Sequence, residues 1–181
     1  MKRLNGVYGQ MAPRALDLYR EIAKRGIDPV IGGVAEQAST DMTFRCPAVT
    51  VALWHAATGQ RVYQYEFSRV PPGRERVGHS RELENVFGFS GPNSFYDTNP
   101  DASDVSRVDD VDRAMSDRVQ RYWTNFARTD DPNGSGLPPS RRFDGASRRY
   151  VEITSEGAPT RQNMRADVCG LFTEARNVGG R

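Results

Sequence analysis

Apolar residues recur every three or four positions in several parts of the chain, which is the spacing of one face of an α-helix. The first such stretch predicts a helix from Pro13, which suits a first helical position, to Arg25, where Gly26 ends it. The strongest repeat predicts a long helix from Val105 to about Arg128, with apolar side chains at Val108, Val111, Met115, Val119, Tyr122 and Phe126. The chain is therefore expected to be rich in helices.

Shorter helices are predicted before and after the long one. Residues 39–44 fit one helical turn, and residues 47–57 fit a helix that Gly59 closes. Ser80 is expected to be the N-cap of a short helix that ends at Gly88. A final helix is predicted from the apolar positions Met164, Val168, Leu171, Phe172 and Ala175. Residues 89–103, rich in Gly, Pro, Asn, Ser and Asp, are expected to form a long irregular connection.

Strict alternation of side-chain character predicts only two strands. Residues 62–67 place three aromatic side chains on one face, and residues 149–154 form the second strand. Two strands alone are marginal in water, and an aromatic face needs a covering layer. The predicted fold class is therefore α/β, mostly helices with a few strands of an incomplete central sheet.

Charge argues against a nucleic-acid partner. The formal net charge is only +2, which gives no basic field of the kind that attracts nucleic acid. Arginine far outnumbers lysine, and either a nucleic-acid patch or a codon preference would produce that bias. The arginines are scattered among Asp and Glu, which favours the codon preference.

The sequence also lacks the signals of a membrane protein or a secreted protein. No apolar run approaches the roughly 20 residues of a membrane span. The basic start at Lys2 and Arg3 is not followed by the apolar segment of a signal peptide. We therefore expect no membrane span. The location stays open: the chain as encoded would be cytoplasmic, whereas a full-length relative with a signal peptide would be secreted.

Motifs for cofactors and metals are missing as well. The chain has no Walker loop, no dinucleotide fingerprint and no H-E-x-x-H motif. Its two histidines and two cysteines, His55, His79, Cys46 and Cys169, do not show the spacing of metal ligands. We expect no cofactor and no metal, and we expect a structural role for His55, which lies mid-helix among alanines.

His79 is the candidate catalytic residue. It follows Gly78 on a loop between a predicted strand and a predicted helix, where α/β enzymes often display a base. Imidazole takes and returns a proton near neutrality because its ordinary pKa is about 6.5. Taken alone, a loop histidine is more often a solvated or hydrogen-bonded residue. No G-x-S-x-G nucleophile elbow accompanies it; residues 88–92 come nearest and lack the final glycine.

Several motifs occur together in a fixed order. They are Thr40-Asp41-x-x-Phe44-x-Cys46-Pro47, Val62-Tyr63-x-Tyr65-x-Phe67, Gly78-His79-Ser80-x-Glu82-Leu83-x-x-Val86-Phe87-Gly88, Tyr122-Trp123-x-Asn125-Phe126-Ala127-Arg128-Thr129-x-Asp131-Pro132-Asn133 and Cys169-x-x-Phe172. Between about residues 36 and 172 the chain resembles the C-terminal third of type-B carboxylesterases, which are cholinesterase-like α/β-hydrolases. Residues 1–35 match only loosely.

The resemblance implies the C-terminal portion of one carboxylesterase domain over residues 1–181. In that family a Ser–Glu–His triad hydrolyses carboxylic esters through an acyl-enzyme, and the histidine motif corresponds to His79. The serine, the glutamate and the glycine-rich oxyanion loop would lie before Met1. The isolated chain is therefore expected to be inactive, with an ester as substrate of the complete enzyme.

The resemblance also suggests roles for three further residues. Glu82 is similar to a buried acid near the family's active site, although as a bare sequence feature it reads as a helix-surface carboxylate. Cys46 and Cys169 correspond to the family's last disulfide, whereas a reducing cytosol favours two buried thiols. The chain departs from the family pattern at two places that concern local packing. Leu137-Pro138 stands where the family has Trp-Pro after the Asp-Pro-Asn turn, and only Phe172 remains of the aromatic pair that follows the last cysteine.

Two other functions stay open from the sequence. A cholinesterase-like domain without a working triad would be a binding or adhesion module. A split enzyme would take its N-terminal part from a separate chain as partner. An in-frame G-x-S-x-G motif upstream of Met1 would favour the esterase.

Overall fold

The computed structural model describes residues 2–70, 75–88 and 109–179. They divide into two compact units, each built from separated parts of the chain. The first unit comprises Met1–Gln64, Arg142–Arg149 and Arg161–Arg181, and the second comprises Tyr65–Arg141 and Tyr150–Thr160. In the described residues no helix is both long and apolar enough to cross a bilayer.

Seven α-helices and three short strands make up the described chain. The helices are α1 (Lys2–Tyr8), α2 (Ala12–Lys24), α3 (Val34–Thr40), α4 (Cys46–Ala57), α5 (Leu83–Phe87), α6 (Asp110–Thr129) and α7 (Ala166–Gly179). The strands are β1 (Tyr65–Phe67), β2 (Tyr150–Ile153) and β3 (Thr160–Arg161).

The first unit is built from helices. A 3-10 turn at Gly9–Met11 joins α1 to α2, and a π-helical turn at Asp41–Arg45 joins α3 to α4. Tyr8 packs edge-on against the ring of Phe172 in α7, with 6.0 Å between ring centroids. The core of this unit buries the apolar side chains of Leu4, Tyr8, Ala12, Ala15, Tyr19, Ile22, Cys46, Val49, Val168, Leu171 and Phe172.

A disulfide and an ion cluster join distant parts of this unit. Cys46 at the start of α4 is bonded to Cys169 in α7, with 4.7 Å between the Cα atoms. The fully buried carboxylate of Asp41 accepts hydrogen bonds from Arg165 Nη2 at 2.6 Å and Nε at 3.0 Å. It also accepts one from Arg45 Nη1 at 3.0 Å. Two guanidinium groups therefore compensate one buried charge.

The second unit packs a sheet against α6. Strand β1 runs parallel to β2, with Tyr65 opposite Val151 and Phe67 opposite Ile153. The strand order is β1-β2-β3. Met115, Val119 and Tyr122, which lie on one face of α6, form a core with side chains of the sheet and its connections, namely Val151, Ile153 and Ala158.

The structure corrects several of the sequence predictions of elements. Helix α1 (Lys2–Tyr8) was not predicted, and the single turn expected at residues 39–44 is the end of α3 (Val34–Thr40) and a π-helical turn at Asp41–Arg45. Alternation missed β3, because two residues are too short to show a period. The first strand covers Tyr65–Phe67 rather than residues 62–67. Ser80 is not an N-cap: its φ is +64°, and α5 begins at Leu83 after Glu82. Helix α6 begins at Asp110 rather than Val105, with Asp109 as its N-cap. The connection predicted for residues 89–103 lies outside the described residues.

Candidate active site

His79 lies on an exposed turn between β1 and α5. Gly78 precedes it, and Ser80 follows with the left-handed φ of +64°. The Leu83 N–H donates to the Ser80 carbonyl at 3.2 Å, which closes the turn at the start of the helix. A non-glycine residue in this conformation is strained, and such residues often cluster at functional sites. His79 itself is exposed on this turn.

Helix α5, which follows the turn, is held against α6 by buried polar contacts. Ser116 Oγ donates to the Asn85 carbonyl at 2.9 Å, and Gln120 Nε2 donates to Ser116 Oγ at 2.8 Å. Asn85 and Ser116 are both buried. Val86 packs against the core that contains Met115, and Gly88 ends the helix with a φ of +80°. These contacts fix the helix that carries the histidine turn at its N-terminus.

Glu82, the second residue singled out from the sequence, occupies the N-cap position of α5 and is half-buried. Burial raises the pKa of the Tyr65 phenol to about 12, and the negative charge of Glu82 adds to this rise. A side-chain hydrogen bond with Trp123 lowers the same pKa in part. The rings of Tyr65 and Trp123 pack edge-on, with 6.3 Å between their centroids. Glu82 therefore acts electrostatically on the Tyr65 phenol at the start of β1.

Arg69, two residues after the last residue of β1, makes ion pairs that sequence reasoning missed. Its Nε donates to Asp112 at 2.8 Å and its Nη2 donates to Asp109 at 2.9 Å. Asp109 and Asp112 also bond each other's backbone N–H as a capping box, and the Asp112 N–H holds the pKa of the Asp109 carboxyl below its usual range. Arg69 after a strand and the acidic start of the long helix are both visible in the sequence. Because 40 residues separate Arg69 from Asp109, no local pattern predicts that they pair.

The remaining candidate residues lie in the first unit, away from the histidine turn in sequence. Both cysteines are in the disulfide, so the chain offers no thiol nucleophile. His55 lies on α4 with an exposed side chain. Glu82 therefore lies three residues after His79, at the start of α5, and the structure pairs Cys46 with Cys169.

A family model described as "Carboxylesterase family" matches residues 10–172. Liver carboxylesterase 1F of Rattus norvegicus is 30% identical over 172 residues, which cover 90% of this chain and 27% of that protein. Carboxylesterase 5A of Mus musculus is 32% identical over 120 residues, covering 62% of this chain and 20% of that protein. Acetylcholinesterase of Bungarus fasciatus is 28% identical over 162 residues, covering 84% of this chain and 23% of that protein. The chain thus spans about a fifth to a quarter of these relatives.

Proposed function

Because this chain belongs to the carboxylesterase family, whose fold is the α/β-hydrolase fold, we propose that it is the C-terminal part of a carboxylic-ester hydrolase in which His79 is the general base. The observation that carries the proposal is the histidine motif itself, in its place among the ordered family motifs. The exposed turn between β1 and α5 supports it, because a base must meet groups that approach from outside this segment.

In this proposal His79 takes the proton from a serine hydroxyl as the serine oxygen attacks the ester carbonyl. It then gives that proton to the leaving alcohol, and an acyl-enzyme remains. In the deacylation step His79 takes a proton from water as the water oxygen attacks the acyl carbon. The bond from that carbon to the serine oxygen then breaks, the serine oxygen receives the proton from His79, and the carboxylic acid leaves. The serine, the triad carboxylate and the oxyanion donors belong to the part of the fold outside these 181 residues.

The proposal makes the isolated chain inactive. Triad members act as a unit, and a histidine without nucleophile and oxyanion donors retains little of the chemistry. Purified 181-residue protein should therefore not turn over p-nitrophenyl butyrate above the buffer rate. Turnover that disappears in the His79→Ala variant would contradict this division of the active site.

A chimera tests the proposal in a complete fold. In liver carboxylesterase 1F of Rattus norvegicus, the region that matches this chain is replaced by this chain's residues. The chimera should hydrolyse p-nitrophenyl butyrate and react with a fluorophosphonate probe for activated serines. A folded chimera that does neither would favour a non-catalytic module over an esterase.

A further inference from the structure

Three polar side chains follow one another along one side of α6. Asp112, Ser116 and Gln120 are spaced by four residues, which makes them neighbours on the surface of a helix. Ser116 is buried, and the other two are half-buried. Ser116 and Gln120 directly follow Met115 and Val119 of the core, so the three polar residues border the apolar face of α6. They are called here the α6 polar stripe.

The α6 polar stripe holds the chain before the histidine turn through Arg69. The Arg69 guanidinium donates to Asp112 at 2.8 Å and to Asp109, the N-cap of α6, at 2.9 Å. The Arg69 side chain is only 10% exposed. A planar guanidinium bound to two carboxylates is fixed in direction as well as in distance. The chain two residues after β1 is therefore tied to the first turn of α6.

The same stripe holds the chain after the histidine turn through Asn85. Ser116 Oγ donates to the Asn85 carbonyl at 2.9 Å, and Gln120 Nε2 donates to Ser116 Oγ at 2.8 Å. His79 lies ten residues after Arg69 and six residues before Asn85. Both flanks of the turn are therefore attached to neighbouring turns of one helix.

Stability alone does not explain the contacts of Asn85. This residue is 4% exposed, and among the described residues nothing donates a hydrogen bond to its buried Oδ1 atom. A buried carbonyl oxygen without a donor costs free energy, whereas an apolar side chain at this position would not. Hydrogen bonds depend on direction, so they restrict the orientation of α5 more narrowly than apolar packing does. The arrangement therefore favours accurate placement of α5 and of the turn before it.

We propose that the α6 polar stripe positions the proposed base, with Arg69 and Ser116 as positioning residues for His79. The inference rests on the proposed function and deepens it, because there is a base to position only if His79 moves the proton. A catalytic group must be held within roughly 0.5 Å of its productive place, and an error of about 1 Å costs on the order of 10²-fold in rate. Arg69 and Ser116 supply one fixed point on each side of the turn.

The chimera described above tests the arginine. Arg69→Gln should lower kcat/KM for p-nitrophenyl butyrate by about 10- to 100-fold, because the base remains but its placement is lost. Arg113→Gln is the matched control, since Arg113 pairs with Asp110 in the same first turn of α6 and is 62% exposed. It should change kcat/KM by less than about twofold. All rates are measured well below the melting temperature of each variant, so that unfolding does not lower them.

Ser116→Ala tests the other flank and keeps the inference testable if Arg69→Gln does not fold. Removal of one hydroxyl should lower kcat/KM by about 3- to 10-fold. Ser135→Ala, at an exposed loop serine, is its matched control and should have no effect. Hydrogen exchange of the Leu83 and Val86 amides, which are bonded within the turn and α5, measures the attachment of α5 separately from chemistry and should become faster in Ser116→Ala.

A double-mutant cycle separates a role through His79 from a general effect on the fold. In the His79→Gln background, Arg69→Gln should change the remaining rate by less than about twofold, because no base is left to misplace. The rates in this cycle are read from labelling by the fluorophosphonate probe, since a covalent label accumulates and reports slow reactions. A loss in the His79→Gln background as large as in the parent chimera would mean that Arg69 acts elsewhere, and would overturn the inference.

The remaining outcomes distinguish this inference from the proposed function. Equal kcat/KM for the parent chimera and His79→Gln removes the proposed function. Loss of activity in His79→Gln, with unchanged kcat/KM in both Arg69→Gln and Ser116→Ala, overturns the positioning role alone. Failure of both these variants to fold, while the Arg113→Gln and Ser135→Ala controls fold, would show a purely structural stripe and also overturn it.

Discussion

At the scale of single residues, Ser80 shows how the histidine turn is held. Its left-handed backbone is rarely adopted by residues with a Cβ and costs about 1–2 kcal/mol. The cost is offset by the Leu83 hydrogen bond and by the burial of α5 against α6. Strain next to the proposed base is consistent with a turn kept for its geometry rather than for stability.

Ser80→Gly should therefore stabilise the chain. Glycine adopts a positive φ without strain but loses more backbone entropy on folding, so we expect the free energy of unfolding to rise by at most about 1 kcal/mol. Urea denaturation measures the change. Ser80→Ala is the matched control, since it retains the Cβ; an equal gain in both variants would show that the hydroxyl, not the backbone, is responsible.

The buried carboxylate of Asp41 should be among the most sensitive positions of the first unit. Asp41→Asn leaves Arg165 and Arg45 with largely buried positive charges and no counter-charge, a change that costs about 3–5 kcal/mol. Asp17→Asn removes one partner of a pair exposed at 71% on the carboxylate side and should cost less than about 1 kcal/mol. Equal midpoints of chemical denaturation for the two variants would contradict the assigned role.

The Tyr65 phenol gives a pH-dependent test of the electrostatic effect of Glu82. Its folded pKa of about 12 lies above the ordinary value of 10.0, so its contribution to stability is complete below about pH 10 and is lost as the pH rises toward 12. Glu82→Gln removes a negative charge and should lower the pH at which tyrosinate forms. The difference in 295-nm absorbance between each protein and its Tyr65→Phe counterpart isolates this group. An unchanged titration would place Glu82 away from the phenol.

At the scale of elements, local periodicity predicted the long helices and the longer strands. It missed the shortest strand and the pairing of strands that are far apart in the sequence. The apolar repeat of α6 and the alternation around β1 and β2 were sufficient to locate these elements. The parallel pairing of β1 with β2 joins residues 86 positions apart, and no local pattern encodes it. The N-cap prediction at Ser80 failed because the residue type fits both a cap and a left-handed turn.

The disulfide should contribute strongly to the pairing of α4 with α7. It closes a loop with a sequence separation of 123, which restricts the unfolded chain by roughly 4–5 kcal/mol in the chain-entropy model. Reduction, or the double change Cys46→Ser and Cys169→Ser, should lower the free energy of unfolding by up to about that amount. The chain has no other cysteine, so reductant acts on this bond alone. A denaturation midpoint that is the same with and without reductant would contradict a stabilising role of the disulfide.

At the scale of the whole molecule, the sequence predicted a partial α/β structure, and the family match agrees with it. His79 was identified through a resemblance rather than through physical necessity, because a loop histidine alone does not specify a triad. The partners of Arg69 and Asp41 could not be predicted, since ion pairs between residues 40 and 124 positions apart depend on the finished fold.

The most direct measurement of the central claim is kcat/KM for ester hydrolysis by the chimera and its two histidine variants. His79→Gln should lower kcat/KM for p-nitrophenyl butyrate by about 10³-fold or more, because the serine loses its base. His55→Gln, at the only other histidine and on an exposed helical position, should change it by less than about twofold. Equal activity of the His79→Gln variant and the parent chimera would contradict the claim that this chain supplies the catalytic base.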